Sequence, residues 1–266
     1  MGLRSIIFDV DGTLADTERE GHLWAYNRAF ELRGLPFRWS VALYRELLVV
    51  AGGKERLTYY LAQHPAYNIV SSDDIRELYE LKTSLYIRRV KTGGISLRGG
   101  IRQLVEECSA RGIMLAIATT THHANVEALL SIHFGTRWPQ LFPIIIAGDE
   151  VPVKKPNPAV YQRCLEQLHL AADEVIAIED SAIGFQAATQ AAIQTVVTLN
   201  VWTYHQTFTG ALATITGLGT RDKGAYGIAP PGWGRYHISP EQLEIWLNDV
   251  KEKRTNSLIG RGGAGS

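Results

Sequence analysis

Cysteine is nearly absent, with Cys108 and Cys164 the only two in 266 residues. Two thiols so far apart in a chain of this size make no disulfide framework, and they fit a reducing compartment. Net charge is absent as well. Lys plus Arg is 27 and Asp plus Glu is 27, which argues against nucleic acid or an anionic membrane as the main partner. No apolar run approaches the ~20 residues of a membrane span. The first apolar run starts by about Leu3, leaving no room for a cleavable targeting peptide. The opening MGLRSI also lacks the Ser or Thr that myristoylation requires at the sixth position. No internal repeat is present. What the chain does have is apolar bulk, 45% of its residues. That suits one α/β domain, or a core domain with a smaller insert. A cytoplasmic monomer is expected.

Five short apolar runs read as strands: Leu3–Phe8, Ile113–Ala118, Leu141–Ala147, Val175–Ile178 and Gln194–Thr198. The last four end in small, polar or acidic residues: Thr119-Thr120-Thr121, Gly148-Asp149, Glu179-Asp180 and Leu199-Asn200. Continuous apolar strands followed by polar loops predict a parallel sheet covered by helices on both faces. Ligands bind such sheets outside the carboxyl ends of the strands. The acidic and threonine clusters fall there.

More than 100 residues separate the first two runs, far more than a plain crossover needs. The excess is rich in helix formers. EGHLWAYNRAFELRG places Leu23, Tyr26, Ala29, Phe30 and Leu32 near helical spacing, with Gly34 as a stop. SVALYRELLVV and KERLTYYLAQH continue in the same style, and SDDIRELYELKTSLYIRRV begins on N-cap residues. Residues 16–91 therefore read as a helical cap inserted into a core made of 1–15 and 92–266. In the tail, GAYGIAPPGWGRY reads as a loop and SPEQLEIWLNDVKEK as a last helix. Its N-cap is Ser239 with Pro240 at N1, and the final IGRGGAGS is expected to fray.

The stretch IIFDVDGTLADTE, Ile6 to Glu18, sets Asp9 and Asp11 two residues apart at the end of the first strand. An Asp-x-Asp-Gly sequence by itself is an ordinary turn. Here three further elements stand at neighbouring strand ends: Thr119, Lys155 within VKKPNP, and Glu179-Asp180 within IEDSAIG. In a parallel sheet these points converge. Carboxylates that meet there need a cation, and hard oxygen donors suit Mg²⁺. A lysine and a threonine hydroxyl beside them fit a bound phosphoryl group. Asp9 is then the candidate nucleophile, since a carboxylate attacks an anion only when a cation cancels the repulsion. Asp11 is the candidate acid, provided its pKa is raised. Gly12 lets the backbone turn beside the phosphate. Thr120 or Thr121 could take the place of Thr119, and Glu179 could act on the metal directly or through water. His122 and His123 are adjacent, share no face, and read as ordinary helix-start residues.

In order and context, DVDGT, Thr119, KKP and EDSAIG resemble the haloacid dehalogenase superfamily, across Asp9 to Gly184. The resemblance implies a Rossmann-like core with a helical cap and an aspartyl-phosphate formed on Asp9. It implies an acid/base role for Asp11 and phosphoryl binding by Lys155 and Thr119. It implies Mg²⁺ held by Asp9, the backbone carbonyl of Asp11, Glu179 and Asp180.

The cap narrows the likeness. Glu18 in ADTE, Tyr44 in YRELL, Gly52-Gly53, Lys54 and Arg56 in GGKER, Lys82 in LKTSLY and the TTT run resemble CbbY-type sugar phosphatases. That implies a sugar phosphate substrate, characteristically xylulose 1,5-bisphosphate. One phosphate would sit at the metal, and Lys54, Arg56 and Lys82 would supply cations for the other. The amides of Gly52 and Gly53 can approach an anion closely. Phosphoglucose-isomerising relatives carry a cap histidine ten residues after the second aspartate. Here that position is Gly21, and His22 follows, turned by ~100° on an α-helix. His22 is therefore expected to point away from the site, which counts against a mutase. A non-enzymatic receiver module shares acidic residues, threonine and lysine on a parallel fold, but has neither a cap nor a use for Asp11.

Overall fold

The computed structural model describes residues 2–64, 71–220, 225–229 and 235–262. The apolar runs form β1 (Ser5–Phe8), β2 (Met114–Ala118), β3 (Ile144–Ile146), β4 (Val175–Glu179) and β5 (Gln194–Thr198). The tail adds β6 (Ala213–Ile215), β7 (Ala225–Ala229) and β8 (Arg235–Tyr236). All eight lie in one sheet of order β3-β2-β1-β4-β5-β6-β7-β8. β1 to β6 run parallel, while β7 is antiparallel to β6, and β8 to β7. Phe8 stands opposite both Ile117 and Ile178, so Asp9, Thr119 and Glu179 leave the sheet along one edge.

Between β1 and β2 lie α1 (Trp24–Leu32), α2 (Val41–Leu47), α3 (Gly53–Ala62), α4 (Ser72–Lys91) and α5 (Ile101–Ala110). A π-helical turn, Glu18–Leu23, precedes α1. Ser40 caps α2 by accepting from the Leu43 N–H at 3.1 Å. Ser71 and Asp74 form a reciprocal capping box on α4. Beyond β2 come α6 (His123–Phe134), the single turn α7 (Trp138–Leu141), α8 (Ala159–Leu168), α9 (Ala182–Gln190) and α10 (Pro240–Gly262).

Strand alternation divides the core. Ile6, Phe8, Ile117, Ile176 and Ile178 face α5 and α6, and Ile7, Ala116 and Ala177 face α8 and α9. The first face is continuous with an aromatic cluster of the helical insert, Tyr26, Phe30, Trp39 and Tyr44. Trp39 lies 4.4 Å from Tyr26, 5.3 Å from Phe30 and 6.0 Å from Tyr44, between ring centroids.

The tail departs from the sequence expectation. GAYGIAPPGWGRY contains β7 and β8, although Gly224 and 230–234 lie outside the described residues. A three-residue strand such as β6 carries too little alternation to be recognised. Ser239 caps α10 as expected, accepting from Gln242 N–H at 3.3 Å. The helix then continues to Gly262, where fraying was expected; 263–266 lie outside the described residues. Leu243, Trp246 and Leu247 of α10 are buried in the first core face. Leu243→Ala is therefore expected to cost about 2–4 kcal/mol in urea unfolding, as for other core leucines. A loss below ~1 kcal/mol would show that α10 is peripheral.

Candidate active site

The strand ends converge on a cavity of about 390 Å³ lined by Asp9, Asp11, Lys155 and Asp180 from the sheet edge. Glu18, His22, Gly52, Gly53, Arg56 and Lys82 line it from the helical insert.

Asp9 is buried, and Lys155 Nζ donates to its Oδ1 at 2.8 Å and to Glu179 Oε1 at 2.6 Å. Glu179 is fully buried and also accepts from Tyr161 Oη at 2.5 Å. It sits behind the cavity wall, against Gly184, where a Cβ would lie 2.0 Å from Glu179 Oε2. Ligand oxygens of Asp9, Glu179 and Asp180 all lie within 4.8 Å of one another, so this cluster could hold a metal ion. One lysine cannot offset three carboxylates. Burial, followed by the opposing pull of Lys155 and the push of Glu179, leaves Asp9 raised to about 8. Burial and the charges of Asp9 and Glu179 hold Asp180 well above the usual carboxylate range. An excess of buried negative charge with hard oxygen donors is the chemistry a divalent cation satisfies.

Asp11 behaves differently. Its Oδ1 accepts from Thr17 Oγ1 at 2.6 Å and lies 2.9 Å from His22 Nε2. Burial alone would raise its pKa, but His22 and the hydrogen bonds of His22 and Thr17 bring it down to about 2. The raised pKa expected of an acid is therefore not that of the substrate-free site. His22 does point into the site, contrary to the expectation from α-helical geometry. The reason is the π turn Glu18–Leu23, which carries an extra residue per turn and advances each side chain by less than 100°. His22 stacks on Tyr86 at 4.3 Å, and Lys82 Nζ lies 2.9 Å from its Nδ1. Lysine donates to Nδ1, which assigns the ring proton to Nε2, toward Asp11. Lys82 is buried among the rings of Tyr26, Tyr79 and Tyr86, and that burial lowers its pKa to about 7.

The other expected residues divide. Tyr44 Oη donates to Glu18 Oε2 at 2.5 Å and accepts from Arg56 Nη1 at 3.1 Å, so these three form one buried network. Gly52 has φ +89°, and a Cβ there would meet Glu55 Oε2 at 2.1 Å. Thr119 is buried, with Oγ1 accepting from Thr121 N–H at 3.2 Å, while Thr120 and Thr121 line the cavity. Lys54 corrects the sequence reading. It is exposed and does not line the cavity, because the first turn of α3 aims it outward. Arg45, one position after Tyr44, lines the cavity instead, with its guanidinium 5.9 Å from the Trp202 ring. Its signal was its place beside Tyr44 in YRELL. His122 caps α6 by accepting from Ala124 N–H at 3.2 Å, and His123 pairs with Glu150 at 2.8 Å, as ordinary helix-start residues do.

A parallel sheet that gathers two aspartates, a lysine and a second acidic pair at one edge, under a basic helical roof, is the arrangement of a hydrolase acting on phosphate esters. The chain belongs to the haloacid dehalogenase-like hydrolases, whose family model matches residues 6–198. It is 44% identical over 220 residues to the plasmid-encoded protein CbbY of Cupriavidus necator, covering 82% of this chain and 86% of that one. It superposes on the crystal structure of CbbY from Rhodobacter sphaeroides in complex with phosphate, with a TM-score of 0.76 and 38% identity, over 81% of this chain and 94% of that one. An Asp-to-Asn mutant of that protein, in complex with xylulose-(1,5)bisphosphate, matches with a TM-score of 0.76 and 37% identity, again over 81% and 94%.

Because Asp9, raised to about 8, retains its proton near neutrality, a cation that binds it must displace that proton. Calorimetric Mg²⁺ titrations in buffers of different ionisation enthalpy should show release of about one proton or more per ion at pH 7. The release should fall as pH rises through about 8, where Asp9 ionises unaided. Binding without proton release at pH 7 would contradict this description of the cluster.

Proposed function

We propose that this chain hydrolyses the 1-phosphate of xylulose 1,5-bisphosphate to give xylulose 5-phosphate, as a Mg²⁺-dependent, cytoplasmic, monomeric enzyme. The observation that carries the reading is the juxtaposition of Asp9, Asp11 and Lys155 on the floor of a cavity roofed by buried basic groups, Arg56 and Lys82. The bisphosphate held by the R. sphaeroides protein supports the substrate. The helical block 16–91 is read as the cap and 1–15 with 92–266 as the core. Among the described residues no helix is long and apolar enough to cross a membrane.

Asp9 and Asp180, the backbone carbonyl of Asp11, and Glu179 directly or through water would hold Mg²⁺. When bound, the ion supplies the positive charge that lets two anions meet. Asp9 then attacks phosphorus, forming an aspartyl-phosphate as the bond to the sugar oxygen breaks. Asp11 gives that oxygen a proton, and afterwards takes one from the water that releases phosphate. Asp11 is an anion in the free enzyme. An incoming phosphate raises its proton affinity by like-charge repulsion; the Nε2 proton of His22, 2.9 Å away, is the adjacent source, with Lys82 Nζ, 2.9 Å from Nδ1, passing a proton to the other ring nitrogen so that the imidazole stays neutral. Lys155 and the Thr119–Thr121 turn are read as holding the phosphoryl oxygens.

Phosphate release across pentulose and hexose mono- and bisphosphates, with and without Mg²⁺, tests the assignment. Asp9→Asn is expected to fold and to lose turnover, and near-normal activity in that variant would sink the mechanism. Arg56→Ala should lower kcat/KM for the bisphosphate roughly ten- to a hundredfold while leaving a monophosphate nearly unchanged. Lys82→Ala should impair both substrates, since Lys82 also holds His22 against Asp11. Lys54→Ala should affect neither. Equal losses on both substrates for Arg56→Ala would reduce the enzyme to a general small-phosphomonoesterase.

The contact between His22 and Asp11 supports one other reading, a phosphosugar mutase, and positional exchange of labelled phosphate without net release distinguishes it.

A further inference from the structure

β5 is followed by Leu199-Asn200, a pair for which the phosphatase reading has no use. Asn200 Nδ2 donates to Asp180 Oδ2 at 2.7 Å and to the Gly12 carbonyl at 3.1 Å. Its Oδ1 accepts from Trp202 N–H at 2.8 Å and from Thr203 Oγ1 at 3.3 Å. Each side of the amide is matched to opposite partners. The NH₂ faces two acceptors and the oxygen faces two donors, so the side chain has one orientation. Gly12 leaves the room for this bond. It has φ +84°, and a Cβ there would lie 2.3 Å from Asp180 Oδ2 and 2.7 Å from Asn200 Nδ2. Arg98 Nη1 donates to the same Gly12 carbonyl at 2.5 Å and to Thr198 Oγ1 at 2.8 Å, fixing that carbonyl from the other side.

Two chain segments that must act together are thereby joined. Gly12 belongs to the turn that carries Asp9 and Asp11, and Asp180 belongs to the loop after β4. Without a tie, the Asp180 carboxylate could rotate in a site crowded with like charge. Asn200 occupies Oδ2 and leaves Oδ1 to other partners. Asn200 also opens the loop that bears Trp202, whose ring meets the Tyr44 ring edge-on at 5.7 Å. The same short loop thus touches the acidic cluster at one end and the helical insert at the other.

We propose that Asn200 is a positioning residue of the cation site. By tying the Asp180 carboxylate to the Gly12 carbonyl, it sets the spacing of the oxygens that receive the ion. The proposal rests on the reading of the Asp9, Glu179 and Asp180 cluster as a Mg²⁺ site, and it concerns binding of the ion rather than the choice of sugar.

Its test needs no substrate. Mg²⁺ affinity is measured by calorimetry on the full chain for wild type, Asn200→Ala and Asn200→Gln, with melting temperature recorded alongside. The glutamine variant keeps the amide but displaces it by one methylene, and serves if the alanine variant does not fold. Hydrogen-bonding partners of metal ligands typically account for ten- to a hundredfold in metal affinity. The expected result is a rise of that size in the Mg²⁺ dissociation constant, with turnover recovered by excess Mg²⁺. A folded variant that binds Mg²⁺ within threefold of wild type overturns the proposal, and a fall in melting temperature alone would mark a merely structural role. If the wild-type protein binds no Mg²⁺, the metal reading fails first and the proposal with it.

Discussion

Everything at the carboxyl edge of the sheet is arranged around one ammonium group in a pit of carboxylates. Lys155 Nζ is shared between Asp9 and Glu179 and also donates to the Ala118 carbonyl at 2.8 Å. Removing several charges from water is costly, and paired ions recover that cost only with good geometry and further hydrogen bonds. The lysine meets this condition by reaching from the loop after β3 to the ends of β1, β2 and β4 at once. It still leaves the edge over-supplied with negative charge. Burial and that surplus together raise the proton affinity of Asp9 and Asp180. Carboxylates in such a state are unfinished until a second cation arrives, and that incompleteness is what gives the edge its chemistry.

Asp9 and Asp11 are separated by a single residue and lie in opposite electrostatic regimes. Asp9 faces other carboxylates and holds its proton, while Asp11 faces Thr17, His22 and Lys82 and loses its own. A strand end turning into a glycine makes the division by sending one side chain to the sheet edge and the other to the helical insert. The insert itself is rigidly founded. Trp39, Tyr26, Phe30 and Tyr44 pack into the face of the core that carries Ile6 and Phe8. The buried ions of the insert, Arg56 and Lys82, are each held by a neighbouring tyrosine or histidine rather than by a direct carboxylate. Their charge therefore remains available to a ligand.

The parallel sheet was readable because the apolar runs ended in polar residues. Asp9, Asp11, Lys155 and Asp180 were readable for the same reason, since strand ends converge whatever the details of the loops. The remainder depended on geometry that composition does not encode. His22 was misplaced because helical periodicity assumes an α-helix, and a π turn changes the angle per residue. Lys54 was credited with facing the cavity because basic residues near a glycine pair look alike, whether the first turn of a helix aims them inward or outward. Asn200 was visible as a polar strand end, but its partners lie 20 and 188 positions away in the chain. β6 to β8 are too short, or too rich in glycine and proline, to show alternation.

The π turn before α1 also bears on how such chains are compared. An α-helical turn that gains one residue can absorb it by widening rather than by pushing every later side chain around the axis. The histidine beside the second aspartate can then move by one place in the sequence and stay fixed in space. Counting residues from the aspartate would miss a histidine that stands beside Asp11. Equivalence in this segment is therefore a matter of contact, in this case a 2.9 Å approach to Asp11, and not of position along the chain.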